Sequence, residues 1–138
     1  MKFLVVDDSP TMRRIVINAL KSFGYNNIVE AADGELAVDQ LNAEKIDFVI
    51  TDWNMPNMTG LELTQYIRSN EELKNIPILM VTTRGLKADI IEALKARVNN
   101  YVVKPFTPQV LKEKMDSVLA ALNKWEMKNE WKGNNGTS

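Results

Sequence analysis

Short, continuously apolar runs recur along this chain with segments of helical period between them, and that alternation leaves few folds open. Phe3–Val6, Phe48–Ile50, Ile78–Val81 and Tyr101–Val103 carry no polar residue at every second position. Both faces of such strands must therefore be covered, as in a parallel sheet flanked by helices. Ile28-Val29-Glu30-Ala31 adds a shorter fifth run. Between the runs lie helical stripes: Met12, Ile15, Val16, Ala19, Leu20 and Phe23; Leu36, Ala37, Val38 and Leu41; Leu63, Tyr66 and Ile67; Ile90, Ile91 and Leu94; and Leu111, Met115, Val118, Leu119 and Leu122. Ser9-Pro10 and Thr107-Pro108 read as helix starts, Thr59-Gly60-Leu61-Glu62 as a capping box, Gly24 as a helix stop and Asp33-Gly34 as a turn. The expected fold is one α/β domain, a doubly wound (βα)5 sandwich with right-handed crossovers. Alternation alone does not set the strand order. A 2-1-3-4-5 order would bring the first and third strands together at a switch point.

Each of four runs ends on a residue suited to phosphoryl chemistry: Asp7-Asp8, Asp52, Thr82-Thr83 and Lys104-Pro105. In an open parallel sheet, ligands bind beyond the carboxyl ends of the strands. Three carboxylates, a hydroxyl and an ammonium would then meet at one edge. Two carboxylates about 4 Å apart repel by roughly 4 kcal/mol at an effective dielectric near 20, so either one is protonated or a cation joins them. The chain has no Cys and no His, which excludes thiol catalysis and disulfides and disfavours zinc. The metal must be held by oxygen, and Mg²⁺ with several waters fits better than Ca²⁺ without EF-hand spacing. An ionised Asp is a competent nucleophile toward phosphorus, and the transfer needs little beyond positioning and charge neutralisation.

Bulk properties, 45% hydrophobic and 25% charged residues, are those of an ordinary soluble globular protein. A net charge of −1 over 138 residues argues against a nucleic-acid partner. No apolar stretch reaches bilayer-spanning length and the amino terminus enters a strand directly, so a cytoplasmic location without membrane contact is expected.

Leu4–Ser9, Asp52–Pro56, Val81-Thr82 and Val103–Phe106, four motifs in order, resemble the marks of bacterial response-regulator receiver domains. Asp52–Met58 and Tyr101–Thr107 resemble in particular the single-domain chemotaxis type, and the likeness runs from about Met1 to Asn123. It implies a flavodoxin-like sheet of order 2-1-3-4-5, with Asp52 as phosphoacceptor. It also implies Mg²⁺ held by Asp7, Asp8, Asp52 and the main-chain carbonyl of Asn54. Thr82 would bond the phosphoryl group and move with it, Lys104 would pair with it, and Lys104–Pro105 would be cis. Tyr101 would rotate to report phosphorylation on the face made by the fourth helix, fifth strand and fifth helix. The implied partners are a chemotaxis-type histidine kinase and the flagellar motor switch, with a phosphatase as a further candidate. The protein would be a monomeric signalling switch that catalyses only its own phosphorylation and dephosphorylation.

Competing readings exist for the same residues. A phosphorelay intermediate would pass the phosphoryl group from Asp52 to a His-containing protein, and a Mg²⁺-dependent phosphatase would use Asp52 as nucleophile. Asn54, where such phosphatases carry a second Asp, argues against the latter. Asp7-Asp8 could merely favour a helix N-terminus, Thr82 is an ordinary strand-end residue taken alone, and Trp53 reads as a partly exposed loop side chain. Arg13 and Arg14 read as a solvated helix face. Arg97 stands where receivers carry Gly, so a strained or extended helix end is expected there, and Arg84 would lie near the phosphoryl group. The receiver is expected to span 1–123, followed by an extension over 124–138. In that extension Trp125, Met127 and Trp131 share one face of a strand against charges of alternating sign, whereas a helix would set Lys124/Lys128, Glu126/Glu130 and Lys128/Lys132 as like-charge pairs. The pattern suits a pairing segment over 124–132 that contacts the body or a second chain, with a disordered extension as the competing reading. Residues 133–138 read as disordered or a cloning remnant.

Overall fold

The structure, a computed structural model, describes residues 1–135, with side chains through Lys124. Five strands alternate with five helices: β1 (Phe3–Val6), α1 (Pro10–Ser22), β2 (Ile28–Ala31), α2 (Gly34–Ala43), β3 (Phe48–Thr51), α3 (Gly60–Ser69), β4 (Ile78–Thr82), α4 (Lys87–Lys95), β5 (Asn100–Val103) and α5 (Pro108–Asn135). All strand pairs are parallel, in the order β2-β1-β3-β4-β5. The expected sandwich and strand order are both present. Among the described residues no helix is long and apolar enough to cross a membrane.

Alternate side chains of each strand feed two cores. Leu4, Val6, Val49, Ile78, Met80 and Tyr101 face α2, α3 and α4, meeting Ala37, Leu41, Leu63, Ile67 and Ala93. Phe3, Val5, Phe48, Ile50, Leu79, Val81 and Val102 face α1 and α5, meeting Val16, Ala19, Leu20, Leu111, Met115 and Val118. Each large aliphatic side chain so buried contributes roughly 1.5–3 kcal/mol, which is why the unbroken apolar runs dominate the fold. The stripes were broader in sequence than in space. Ile15, Ile91 and Leu94 are exposed, because a helix laid on a sheet buries only its narrow contact face, and on α4 that face is the small side chain of Ala93.

Capping follows local chemistry. The hydroxyl of Ser9 accepts the Met12 N–H, the Asp33 carboxylate accepts the Leu36 N–H, and Thr59 and Glu62 form the reciprocal capping box of α3. At the end of α4, Arg97 adopts φ 74°. Its N–H donates to the Leu94 carbonyl and that of Val98 to the Ala93 carbonyl, a Schellman closure built on a residue with a Cβ. The strained end expected at Arg97 is therefore present.

The tail departs from its strand-like pattern. Backbone continues helically from Pro108 through Asn135, so the pairing-strand reading of 124–132 is corrected. Residues 136–138 lie outside the described residues. Extending an existing helix adds one hydrogen bond per residue without a new nucleus, whereas a strand gains little until it pairs. Three like-charge i,i+4 pairs at a few tenths of a kcal/mol each do not reverse that preference.

Candidate functional site

Parallel register gathers the candidate residues at the carboxyl edge. Val6 is level with Thr51, and Thr82 with Val103, so Asp7, Asp52 and Lys104 each follow directly on an aligned strand end. Main-chain bonds carry the alignment into the loops: Asp7 N–H to Ala31 O, Asp52 N–H to Val6 O, and Lys104 N–H to Thr82 O. Asp7, Asp8 and Asp52 each place a carboxylate oxygen within 4.8 Å of the other two. Asp7 is buried, Asp52 half-buried and Asp8 exposed, so the cluster opens to solvent through Asp8.

The Lys104 ammonium joins two of these acids, with Nζ 2.8 Å from Asp7 Oδ2 and 3.2 Å from Asp52 Oδ2. The other oxygens are aimed by main-chain donors: Ser9 N–H gives to Asp7 Oδ1 and Trp53 N–H to Asp52 Oδ1. Burial by itself lowers the Lys104 pKa, but the hydrogen bond it donates to Asp7 and the charges of Asp52 and Asp7 outweigh it and hold the ammonium above its usual value. A cation that stays charged beside an aspartate is what a negatively charged reactant requires. Thr82 is fully buried at the end of β4, its hydroxyl 3.4 Å from the Arg84 N–H.

Comparison with known proteins places this geometry. Residues 3–116 match the response regulator receiver domain. The chain is 58% identical over 120 residues to the chemotaxis protein CheY1 of Helicobacter pylori, covering 86% of this chain and 97% of that one. It superposes on the chemotaxis response regulator CheY4 of Vibrio cholerae with a TM-score of 0.79 at 36% identity, covering 85% of this chain and 97% of the other. The receiver domain of a sensor histidine kinase from Pseudomonas aeruginosa, solved with a magnesium ion coordinated in its active-site cleft, gives a TM-score of 0.77 at 28% identity, covering 86% and 97%. This chain belongs to the response-regulator receiver family. Its domain is of the CheY chemotaxis kind.

Within this receiver, the donor set fits a hard divalent cation: three carboxylates, no nitrogen or sulfur, and spacing that an octahedral ion with metal–oxygen bonds of about 2.0–2.1 Å nearly bridges. Asn54 lies in the loop that follows Asp52, with an exposed side chain. The Lys104–Pro105 peptide is cis. Tyr101 is buried, and its hydroxyl donates to the Arg84 carbonyl. Burial, then the Asp89 charge, push its pKa up to about 12 against the opposing influence of Arg84.

Two arginines do more than the sequence suggested. The Arg84 guanidinium lies 4.4 Å above the Trp53 ring, donates to Asn54 Oδ1 from Nε at 3.1 Å and Nη2 at 2.9 Å, and sits 3.6 Å from Asp89. Trp53 beneath it is only 3% exposed, so its reading as a partly exposed loop side chain is corrected. Arg13 is not simply solvated: Nη1 gives to the Asp7 carbonyl at 2.7 Å and Nε to Glu30 at 2.9 Å. Arg84 lies two residues beyond Thr82, and that proximity was its only sequence signal. A contact to Trp53 and Asn54, some thirty residues away in the chain, exists only once β3 and β4 are paired.

Proposed function

We propose that this receiver accepts a phosphoryl group on Asp52 from the phosphohistidine of a sensor kinase and uses it to switch a protein contact. The observation that carries this reading is the Lys104 ammonium held between Asp7 and Asp52, beside three converging carboxylates. An oxygen of Asp52 would attack phosphorus in line, the P–N bond would break, and the imidazole would leave with its electron pair and take a proton from solvent. Lys104 would turn from Asp52 toward one equatorial oxygen, and the Thr82 hydroxyl would donate to another. Asp7, Asp8, Asp52 and the Asn54 carbonyl would hold Mg²⁺, which when bound neutralises charge on the phosphoryl oxygens.

The phosphoryl group adds about −1.5 to −2 charge at neutral pH. Drawing Thr82 toward it would move Arg84 two residues on, and with it the carbonyl that holds the Tyr101 hydroxyl. The output would thus be a shift in an existing equilibrium of Tyr101 and the face around it. That face carries exposed apolar side chains, Leu86, Ile91, Leu94, Val103 and Val110, which suit a peptide partner. The likeness to chemotaxis proteins makes a chemotaxis kinase the donor, the flagellar motor switch the recipient of the signal, and the cytoplasm its setting. We take the receiver unit as 1–123 and the protein as a monomeric switch rather than an enzyme acting on other substrates.

The test uses purified protein, Mg²⁺ and the small phosphodonor acetyl phosphate, with intact-mass measurement after brief reaction. One phosphoryl group should add to the native chain and none to Asp52→Asn, whose far-UV spectrum should be unchanged. Undiminished labelling of the variant removes Asp52 from the role.

A further inference from the structure

At the opposite, amino edge of the sheet lies a cavity of about 830 Å³, lined by Arg68, Lys74 and Arg97 together with the apolar Pro77, Ala121 and Leu122. Asp47 is the one acid in its lining, and its Oδ2 accepts the Lys2 N–H at 2.7 Å. Lys74 is itself paired with Glu71 at 2.9 Å beside the wall, so three cations against two carboxylates leave a net charge of +1 (3 − 2).

Arg68 is the centre of this wall. Its Nε donates to the Arg97 carbonyl at 3.0 Å, Nη1 to the carbonyls of Lys74 at 2.9 Å and Ile76 at 2.6 Å, and Nη2 to Asn99 Oδ1 at 2.9 Å. All four acceptors are neutral, and among the described residues Arg68 has no carboxylate partner. A guanidinium has five N–H donors, so these bonds fix the fork in place and leave one Nη2 hydrogen over. Arg68 is half-buried, and charges withdrawn from solvent are ordinarily paired with an opposite charge. This one instead has a second cation for a neighbour: burial, then the charge of Arg97, pull its pKa down to about 10, and it remains charged at neutral pH.

Arg97 adds a second unexplained feature. It holds the left-handed position that closes α4, with φ 74°, where glycine is free of strain. Its side chain forms no ion pair among the described residues. The backbone closure needs no side chain there, and placing a cation next to Arg68 works against folding. Two unfavourable features of the fold thus converge on one cavity, and an anion would relieve the repulsion between them.

We infer that this cavity is a binding site for a small phosphorylated ligand, whose oxyanion is held by Arg68 and Arg97 with Lys74 at the rim and whose organic part rests against Pro77 and Leu122. The size is that of ordinary small-molecule sites, roughly 300–1,000 Å³, and the remaining Nη2 hydrogen of Arg68 together with the exposed Arg97 guanidinium offers charge-assisted donors to phosphate oxygens. The site lies at the end of the strands opposite to Asp52, so it stands or falls independently of the phosphoryl chemistry there.

The experiment is an NMR titration of the full-length chain with inorganic pyrophosphate, without Mg²⁺ so that the acidic cluster stays unattractive to anions. Citrate in a parallel arm separates phosphate recognition from general response to a polyanion. The arginine Nε–H signals of Arg68 and Arg97 and the amide of Asn99 should shift saturably with pyrophosphate and far less with citrate. Arg97→Gly keeps the α4 closure and the carbonyl that Arg68 uses, and should weaken binding about tenfold, the loss of one charge-assisted contact. Shifts of equal size and affinity in Arg97→Gly, equal response to citrate, or no saturable shift at all would each overturn the assignment. Arg68→Lys is a poor primary variant because Arg68 ties three segments together.

Discussion

Gly60 shows how closely the acidic loop is fitted to the start of α3. A Cβ built at this position would lie 1.9 Å from the Asp52 carbonyl oxygen and 3.0 Å from Trp53 Cα, while the Gly60 N–H donates to the Trp53 carbonyl at 2.8 Å. Helix propensity alone favours Ala over Gly by about 1 kcal/mol. Here the neighbouring atoms are backbone and cannot turn aside, and forced overpacking costs typically 1–3 kcal/mol, so sterics should win. Gly60→Ala should lower the urea midpoint and impair acetyl phosphate uptake, because the residue that must yield is Asp52 itself. A midpoint equal to or above that of the native chain would contradict this close approach. In sequence Gly60 reads only as the second residue of a capping box. Nothing in a linear pattern shows that its hydrogen touches a carbonyl eight positions earlier, just as nothing shows Arg84 spread over Trp53. What was legible at this scale was chemical type at strand ends, since Asp7, Asp8, Asp52, Thr82 and Lys104 each follow or end a run whose burial is plain from its composition. The finer placement of Arg13 and Arg84 depends on packing partners that only the folded sheet supplies.

Among the elements, α4 is the least self-sufficient. It is nine residues long, has no side-chain cap at Leu86, buries only Ala93, and ends on Arg97 in the left-handed region. A residue with a Cβ is disfavoured there relative to Gly by about 1 kcal/mol, and the nearby charge of Arg68 adds to the disadvantage. Arg97→Gly should therefore raise the stability by about 1 kcal/mol and the thermal midpoint by roughly 3–4 °C, the usual conversion for a domain near this size. Differential scanning calorimetry would show it, and a lowered midpoint would mean that the Arg97 side chain makes a stabilising contact. The strained turn was readable in advance only through the resemblance to receivers, which carry Gly where this chain has Arg97. The tail was not. Its alternating charges suit a strand, but periodicity cannot register that a preformed helix end stands immediately upstream, and the backbone follows α5 to Asn135.

For the molecule as a whole, the groups with the clearest pKa shifts at the carboxyl edge act in one direction. Tyr101 keeps its proton to about pH 12 in the fold, whereas an unfolded tyrosine loses it near pH 10. Lys104 is likewise held above its usual value, the Asp7 hydrogen bond and the Asp52 charge prevailing over burial. Through the interval above about pH 10 these two groups therefore bind more protons in the folded state than in the unfolded one, whereas Arg68, pulled down to about 10, binds fewer. The stability that Tyr101 and Lys104 contribute is fully present below that interval and is lost as pH rises through it, with Arg68 acting the other way. For Tyr101 a displacement from about 10 to about 12 corresponds to roughly 2–3 kcal/mol. Urea unfolding at closely spaced pH values from 8 to 12 isolates the Tyr101 share when the native chain is compared with a variant that lacks the hydroxyl. In Tyr101→Phe, which has no proton to lose, the slope of stability against pH above pH 10 should be less negative by about one proton per molecule, leaving the opposed shares of Lys104 and Arg68. A variant with the same slope as the native chain would show that the buried hydroxyl does not hold its proton in the fold. The bond from Tyr101 to the Arg84 carbonyl would then be too weak to couple the acidic edge to the face beside it.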